Sequence, residues 1–315
     1  MKPRVVILTF LLLAATGCKL GPNYQRPQIA VPDQFRNAPP VSGTSSIADT
    51  KWFDLFQDDA LKQLVTTALA NNFDLRIAAE RVLEARAQYG ITRAGLFPTV
   101  DGQAQFTATR SSSVGSFNFI PAGTNLSTSY TQANLSLNWE IDLWGRIRRL
   151  TESARAQYLA SEEARNGVTI SLISDVMNTY FALREQDLEL EIGQHTRDIA
   201  NDNLRLINLR HDRGAANGLE VHQAEQFLYT AAAEIAGVER SIGQNEDALN
   251  LLLGSVPGDV RRGKKLEEIA LAPELPAGLP STLIERRPDL SVETWHGCQQ
   301  HLRSHGTAIS RISPS

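Results

Sequence analysis

The chain has 315 residues, 42% of them hydrophobic and 21% charged, and a formal net charge of −4. That composition describes a folded chain and excludes a disordered one, and the acidic balance argues against nucleic acid as a partner. Two cysteines, Cys18 and Cys298, exclude a disulfide framework and a zinc site built on thiolates.

Lys2 and Arg4 precede an apolar core, residues 5–15, of signal-peptide length and too short to span a bilayer as a stable helix. It runs through Ala15-Thr16-Gly17 into Cys18, which resembles a bacterial lipobox: residues 1–17 would be removed and Cys18 acylated. Loss of Lys2 and Arg4 with the leader takes the charge from −4 to −6. An ordinary signal peptide with an incidental cysteine is the alternative. Several acyl chains, at about 0.8 kcal/mol per buried methylene, make such an anchor stable. Lys19, rather than Asp, follows the cysteine and fits sorting to the outer membrane. Residues 18–58, rich in Pro, Gln and Asn and then in Ser and Thr, read as an extended segment behind the anchor.

Asp58 and Asp59 can cap a helix over residues 60–71. A second begins near Asp74, where Leu75, Ala78, Val82, Ala85 and Tyr89 step by three and four in a coiled-coil seam that Pro98 ends. The period then becomes two. Val100, Gly102, Ala104, Phe106 and Ala108 share a face, and after a Ser/Gly/Asn-rich stretch so do Ala133, Leu135, Leu137, Trp139, Ile141 and Leu143. Each run has the length of a tilted membrane strand. A soluble sheet with one wet face is the alternative. Amides and hydroxyls on the other face, as in a watery lumen, and Trp139 with Trp144 as an interfacial girdle favour the membrane. Two strands cannot sit in a bilayer alone, because their edges would expose unpaired backbone groups to hydrocarbon. A barrel needs about eight strands, so the others come from repeats, subunits or both.

No proline occurs between Pro121 and Pro257. Inside that window residues 145–212 predict one helix, roughly 100 Å long at 1.5 Å per residue, with Val168, Leu172, Val176, Tyr180 and Leu183 as its apolar stripe. Residues 213–218 break it, Gly214 as a C-cap and Asn217 as N-cap of the return. The return helix carries the clearest periodicity: Val221, Ala224, Leu228, Ala231, Ile235, Val238, Ile242, Asn245, Leu249 and Leu252 alternate steps of three and four.

These residues resemble the TolC-like outer membrane efflux proteins, specifically the lipoprotein channels of resistance-nodulation-division pumps (the NodT group). The resemblance rests on residues 18–27 (Cys-Lys-Leu-Gly-Pro-Asn-Tyr-Gln-Arg-Pro), Trp52-Phe53, and residues 139–146 (Trp-Glu-Ile-Asp-Leu-Trp-Gly-Arg). Arg213-Gly214 followed by Leu219-Glu220-Val221, then Leu279-Pro280-Ser281 and residues 286–290 (Arg-Arg-Pro-Asp-Leu), complete it. It implies a mainly α protein with a membrane β-hairpin: a long antiparallel coiled-coil hairpin plus two strands of a trimeric transmembrane barrel, the first of two repeats. The expected divisions are 59–98 for the equatorial and first periplasmic helices, 99–144 for the barrel hairpin with its extracellular loop, and 145–254 for the long periplasmic hairpin. An equatorial linker, 255–285, and a second repeat, 286–315, follow. The implied partners are two further copies, a periplasmic adaptor, an inner-membrane resistance-nodulation-division pump and outer membrane lipid. Substrates would pass passively from the pump to the exterior. The adaptor would dock on the turn Gly214, Ala215, Ala216, Asn217 and Gly218, although a plain helix reversal explains its Gly and Asn equally well, and Ala215 stands where the family often has a bulky apolar residue.

Other signals are decoys. Residues 258–265 nearly spell a phosphate-binding loop but lack the final hydroxyl and a preceding strand. Glu220 and His222 are only two apart and point to different sides of a helix, so with Glu225 they read as a solvated face, and His296, His301 and His305 read as noise in a divergent tail. No cofactor, metal or catalytic residue is expected, and no enzyme. A periplasmic scaffolding lipoprotein without channel activity is the competing reading.

The second repeat departs from the first. Asp289-Leu290 match Asp74-Leu75, but the seam positions Ala78, Val82, Ala85 and Tyr89 meet Glu293, Gly297, Gln300 and Ser304. A frameshift or other disruption near residues 291–294, leaving only the first repeat, is the expectation, and a product so truncated would lack two of its four strands and could be inactive as a channel. Sequencing the DNA beyond codon 290 tests it: a neighbouring frame should encode an Ala-rich helix ending near Phe-Pro, and its absence sinks the idea.

Overall fold

The structure, a computed structural model, describes residues 22–25, 53, 58–112, 125–269 and 286–312. The leader, Cys18, the hairpin loop around 113–124 and the linker from 270 to 285 lie outside the described residues. The elements are α1 (Asp59–Asn71), α2 (Phe73–Ala94), β1 (Thr99–Arg110), β2 (Ser127–Asn138), α3 (Arg146–Asp212), α4 (Gly218–Leu253), a 3-10 turn at Leu266–Glu268 and α5 (Pro288–Ile312). They fall into two compact units. Among the described residues no helix is long and apolar enough to cross a membrane.

In the unit formed by Arg26–Glu84 and Leu159–Trp295, α1 starts on Asp58. Its carboxylate accepts from the N–H of Ala60 at 2.8 Å and of Leu61 at 3.4 Å, satisfying donors that a helix start leaves unpaired. Asn72 ends α1 and starts α2. Its N–H reaches the Ala68 carbonyl, its Oδ1 accepts from Leu75 N at 2.9 Å, and its Nδ2 donates to the Leu252 carbonyl on α4 at 3.0 Å. The α2 seam holds, with Ala78 buried and Leu75, Val82, Ala85 and Tyr89 half-buried. So does the α4 seam, all ten of whose positions are buried or half-buried. Asn245, its one polar member, donates from Nδ2 to Gln186 Oε1 on α3 at 2.9 Å.

The core gathers Leu61, Val65 and Ala68 of α1, Leu172, Val176, Tyr180 and Leu183 of α3, Leu249 and Leu253 of α4, and Val260. Each fully buried leucine or valine there stabilises by about 1.5–3 kcal/mol. Tyr180 is fully buried, and its polar end is satisfied inside: the hydroxyl donates to Asp58 Oδ2 at 2.7 Å and accepts from Gly263 N at 3.1 Å. Burial, reinforced by the bond to Asp58, pushes the Tyr180 pKa up to about 12.

Residues 258–265 close over this junction as a strap. A Cβ on Gly263 would collide with the Asp58 carboxylate, so only glycine fits. Arg262 bridges Asp187 of α3 and Glu246 of α4. Burial works against that cation, and the two carboxylates more than offset it, so its pKa is raised. Arg184, 7% exposed, donates to the Lys264 carbonyl from Nε at 3.0 Å and Nη2 at 2.9 Å and pairs with Asp187 at 2.6 Å. The near-phosphate loop is therefore a fastening, with its backbone already committed.

In the unit formed by Met1–Gln25, Ala85–Tyr158 and His296–Ser315, Arg149 is 1% exposed and reaches Asn23 Oδ1 at 3.2 Å and Glu152 Oε2 at 3.0 Å. Gly306 lies on Leu150, where a Cβ would come within 3.2 Å of Leu150 Cδ2. Ser153 Oγ donates to the Gln299 carbonyl at 3.0 Å. On α5 the tail is helical, but Glu293, Gln300 and Ser304, aligned with the α2 seam, are exposed, and the buried line is Leu302 and Gly306.

Tyr180→Phe leaves the Gly263 N–H and one Asp58 oxygen without their partner and should cost about 1–3 kcal/mol in urea unfolding of the full chain. The raised pKa fixes the sign of the pH effect. The contribution is full below pH 10, the unperturbed value, and is lost as pH climbs to about 12. Wild type should therefore weaken relative to Tyr180→Phe across that window. Gly263→Ala should destabilise at every pH.

Candidate functional site

The β-hairpin is the first element with functional geometry. β1 and β2 pair antiparallel, Thr99 opposite Asn138 through Arg110 opposite Ser127. That register puts Val100 beside Leu137, Gly102 beside Leu135 and Ala104 beside Ala133, so the apolar faces of both strands coincide along this half of the ladder; beyond it Phe106 and Ala108 stand opposite Thr131 and Ser129. Asp101 and Ser136, Gln103 and Asn134, and Gln105 and Gln132 form the opposite, amide-rich face. Both faces are open: every strand position is exposed except the half-buried Thr107, and on the apolar face Leu135 is 80% exposed and Phe106 69%. A hairpin of a water-soluble protein would cover one of them. Each strand has twelve residues. At about 3.3 Å apiece and a tilt of about 40° they rise about 30 Å, close to the apolar band of an outer membrane barrel.

The structure corrects the end of the second run. β2 stops at Asn138, whereas alternation through Leu143 predicts a longer strand. Pro98 precedes β1 and carries no N–H, and Thr99 takes Asn138 as the last partner, so the chain beyond it has nothing to pair with. Residues 139–145 instead form a connector into α3. Glu140 clasps Arg146, with Oε1 accepting from Nε at 3.0 Å, and Asp142 Oδ2 accepts from Arg148 N at 2.8 Å, serving as a cap for α3. Gly145 turns the chain at φ 83°, a value that favours glycine, and α3 starts at Arg146, one residue later than expected. Trp139 and Trp144 both lie on this connector, 57% and 53% exposed, and the Trp139 indole N–H donates to the Leu96 carbonyl at 3.4 Å.

The second element is the reversal between α3 and α4. Gly214 has φ 71°, its N–H reaches the His211 carbonyl at 2.9 Å, and Ala215 N reaches Arg210 O at 2.8 Å, the pair of bonds that closes a Schellman end. Asn217 Oδ1 accepts from Glu220 N at 3.0 Å while Glu220 Oε1 accepts from Asn217 N at 3.2 Å, a reciprocal capping box. His211 Nδ1 lies 3.0 Å from the Ala216 carbonyl. Gly214, Ala215, Asn217 and Gly218 are exposed and Ala216 half-buried. A turn capped on both sides is a stiff one, and it presents Leu219, 65% exposed.

Among the described residues no group of three histidine, cysteine or acidic side chains could hold a metal. His222 Nδ1 pairs with Glu225 Oε2 at 3.0 Å, within one solvated face. Sequence reasoning missed the polar work of Tyr180, which it read as part of an apolar stripe, and of Arg149 and Arg184. Arg149 stands in a run with Arg146 and Arg148, and Arg184 beside Glu185, so their local sequence carries no signal of burial.

A two-stranded sheet open on both faces and a long helical hairpin with a doubly capped turn are the elements that outer membrane efflux proteins share. The family described as outer membrane efflux protein matches residues 64–255. The chain belongs to this family, whose members are channels and not enzymes. The solvent efflux pump outer membrane protein SrpC of Pseudomonas putida is 40% identical over 287 residues, 89% of this chain and 60% of that protein. The cation efflux system protein CusC of Escherichia coli is 32% identical over 318 residues, 100% of this chain and 67% of that one. The open-state structure of the Neisseria gonorrhoeae MtrE outer membrane channel superposes with a TM-score of 0.76 at 28% identity, over 93% of this chain and 64% of that one. The chain thus spans about three fifths to two thirds of the length of these relatives.

Removing the tip cap with Asn217→Ala should cost about 1 kcal/mol, and Gly214→Ala, forcing a side chain into positive φ, about 1–2 kcal/mol. Hydrogen exchange should show the loss confined to the turn and its flanking helical ends.

Proposed function

We propose that this chain is a channel-building subunit of a tripartite efflux assembly. It contributes its β-hairpin to a closed barrel and its helical hairpin to the tunnel below. The carrying observation is the register of β1 on β2, which aligns an apolar stretch, Val100 to Phe106 with Ala133 to Leu137, on one face and an amide-rich stretch on the other, both exposed. Such a ribbon fits lipid on one side and a water-filled lumen on the other. Its outer edges require further strands: three copies around a threefold axis bring six from this hairpin, and a second repeat's hairpin in each protomer takes the sheet past the eight or so that closure needs. The lumen conducts small molecules passively, driven by an inner-membrane resistance-nodulation-division pump.

Cys18 is the lipidation site that holds the N-terminal segment in the outer membrane. Trp139 and Trp144, exposed on the connector, lie at the lipid–water boundary where amphipathic indoles are stable. The turn Gly214–Gly218 receives the helical tips of a periplasmic adaptor; its double capping supports the role, because a preorganised surface loses little entropy on docking. The competing reading, a scaffolding lipoprotein with the strands outside the membrane, leaves the exposed face of Val100, Phe106, Leu135 and Leu137 without an environment.

Protease treatment of intact outer membranes separates the two. As a channel subunit, the chain keeps residues 100–143 protected and migrates faster on gels before heating than after. Cleavage within that segment and heat-independent migration would establish the scaffold. Cys18→Ser should abolish incorporation of labelled palmitate and leave the hairpin's protection to the barrel alone.

A further inference from the structure

We propose that His301 and His305 form a binding site for a borderline divalent cation such as Cu²⁺ or Ni²⁺. The two lie four residues apart on α5, hence on one face of the helix. No other pair among the six histidines has that spacing. Their ring centres are 4.7 Å apart with the planes at 68°. Two imidazoles on one ion, with metal–nitrogen bonds of about 2.1 Å, place their ring centres about 4.5 Å apart at a right angle and about 5.2 Å apart at the tetrahedral angle. The observed spacing falls between these values, and rotation of the rings out of their edge-to-face contact turns a nitrogen of each toward one ion.

The surroundings have the form that ligating histidines use. His301 Nε2 lies 3.4 Å from the Pro22 carbonyl, which takes its N–H and leaves Nδ1 as the lone pair for a metal. The Tyr24 ring packs 6.0 Å from that of His301 and limits its rotation, and Gly297, one turn earlier, leaves room for the Tyr24 hydroxyl. Both histidines are half-buried, so the chelate keeps open positions for water or a further ligand. Two neutral imidazoles with water favour Cu²⁺ over Ni²⁺ and Zn²⁺, and disfavour Mg²⁺ and Ca²⁺. The site is independent of channel activity.

The test titrates the untagged full chain with Cu²⁺ alone and with Ni²⁺ alone, by calorimetry and electron paramagnetic resonance. The expected result is one ion per chain with a dissociation constant in the micromolar range, Cu²⁺ the tighter, and two imidazole nitrogens in the copper spectrum. His301→Gln and His305→Gln should each weaken binding at least tenfold, because the second nitrogen is held at high effective concentration by the helix. Circular dichroism controls for retained helix, and His296→Gln should bind as the parent does. Parent-like affinity in either variant, an equal loss in His296→Gln, or a single-nitrogen spectrum would overturn the proposal.

Discussion

The carboxylate of Asp58 holds together three segments that are remote in sequence. One oxygen starts α1 by taking two backbone N–H groups, and the other takes the Tyr180 hydroxyl from the middle of α3. That hydroxyl accepts in turn from Gly263, whose missing Cβ is what lets the strap approach. A buried carboxylate is costly unless its lone pairs are filled, and here they are filled by groups of different segments. The aliphatic core of α1, α3 and α4 surrounds this polar centre, so packing and hydrogen bonding fix the same arrangement.

Polar residues placed within apolar seams set the register of the long helices. A coiled-coil seam of alanine, valine and leucine tolerates slippage by a heptad, and one amide that has to find a partner removes that freedom. Asn245 does so through Gln186, and Asn72, outside the seams at the α1–α2 junction, ties that junction to the end of α4. Arg262 and Arg184 then tie the strap to α3 and α4 from outside the core. The amides act as pins along the helices and the arginines as clamps across them.

Much of this is legible in the sequence because it depends on local spacing. Ten positions from Val221 to Leu252 step by three and four, and every one is buried or half-buried. The roles of Asp58, Gly214 and Asn217 follow from short-range backbone chemistry and are read equally well. The strand end at Asn138 is different: alternation continues to Leu143, and only the position of the partner strand stops it. The strap at residues 258–265 is different again. Its glycines and basic residues resemble a phosphate loop, and their work is visible only once Asp58, Asp187 and Glu246 stand beside them. The histidine pair on α5 belongs here too, since four-residue spacing means little until the rings are seen face to edge. Cys18 and residues 270–285 lie outside the described residues, and their readings rest on sequence alone.

Consider again the hairpin with both faces uncovered. Its two outer edges carry backbone donors and acceptors that no described strand meets, and its apolar face is as open as its polar one. In water such a ribbon is a template for indiscriminate pairing. The helices can fold on their own seams, while the ribbon is safe only once its edges and its apolar face are covered. Any delay between the two is a period in which unpaired strand edges invite aggregation.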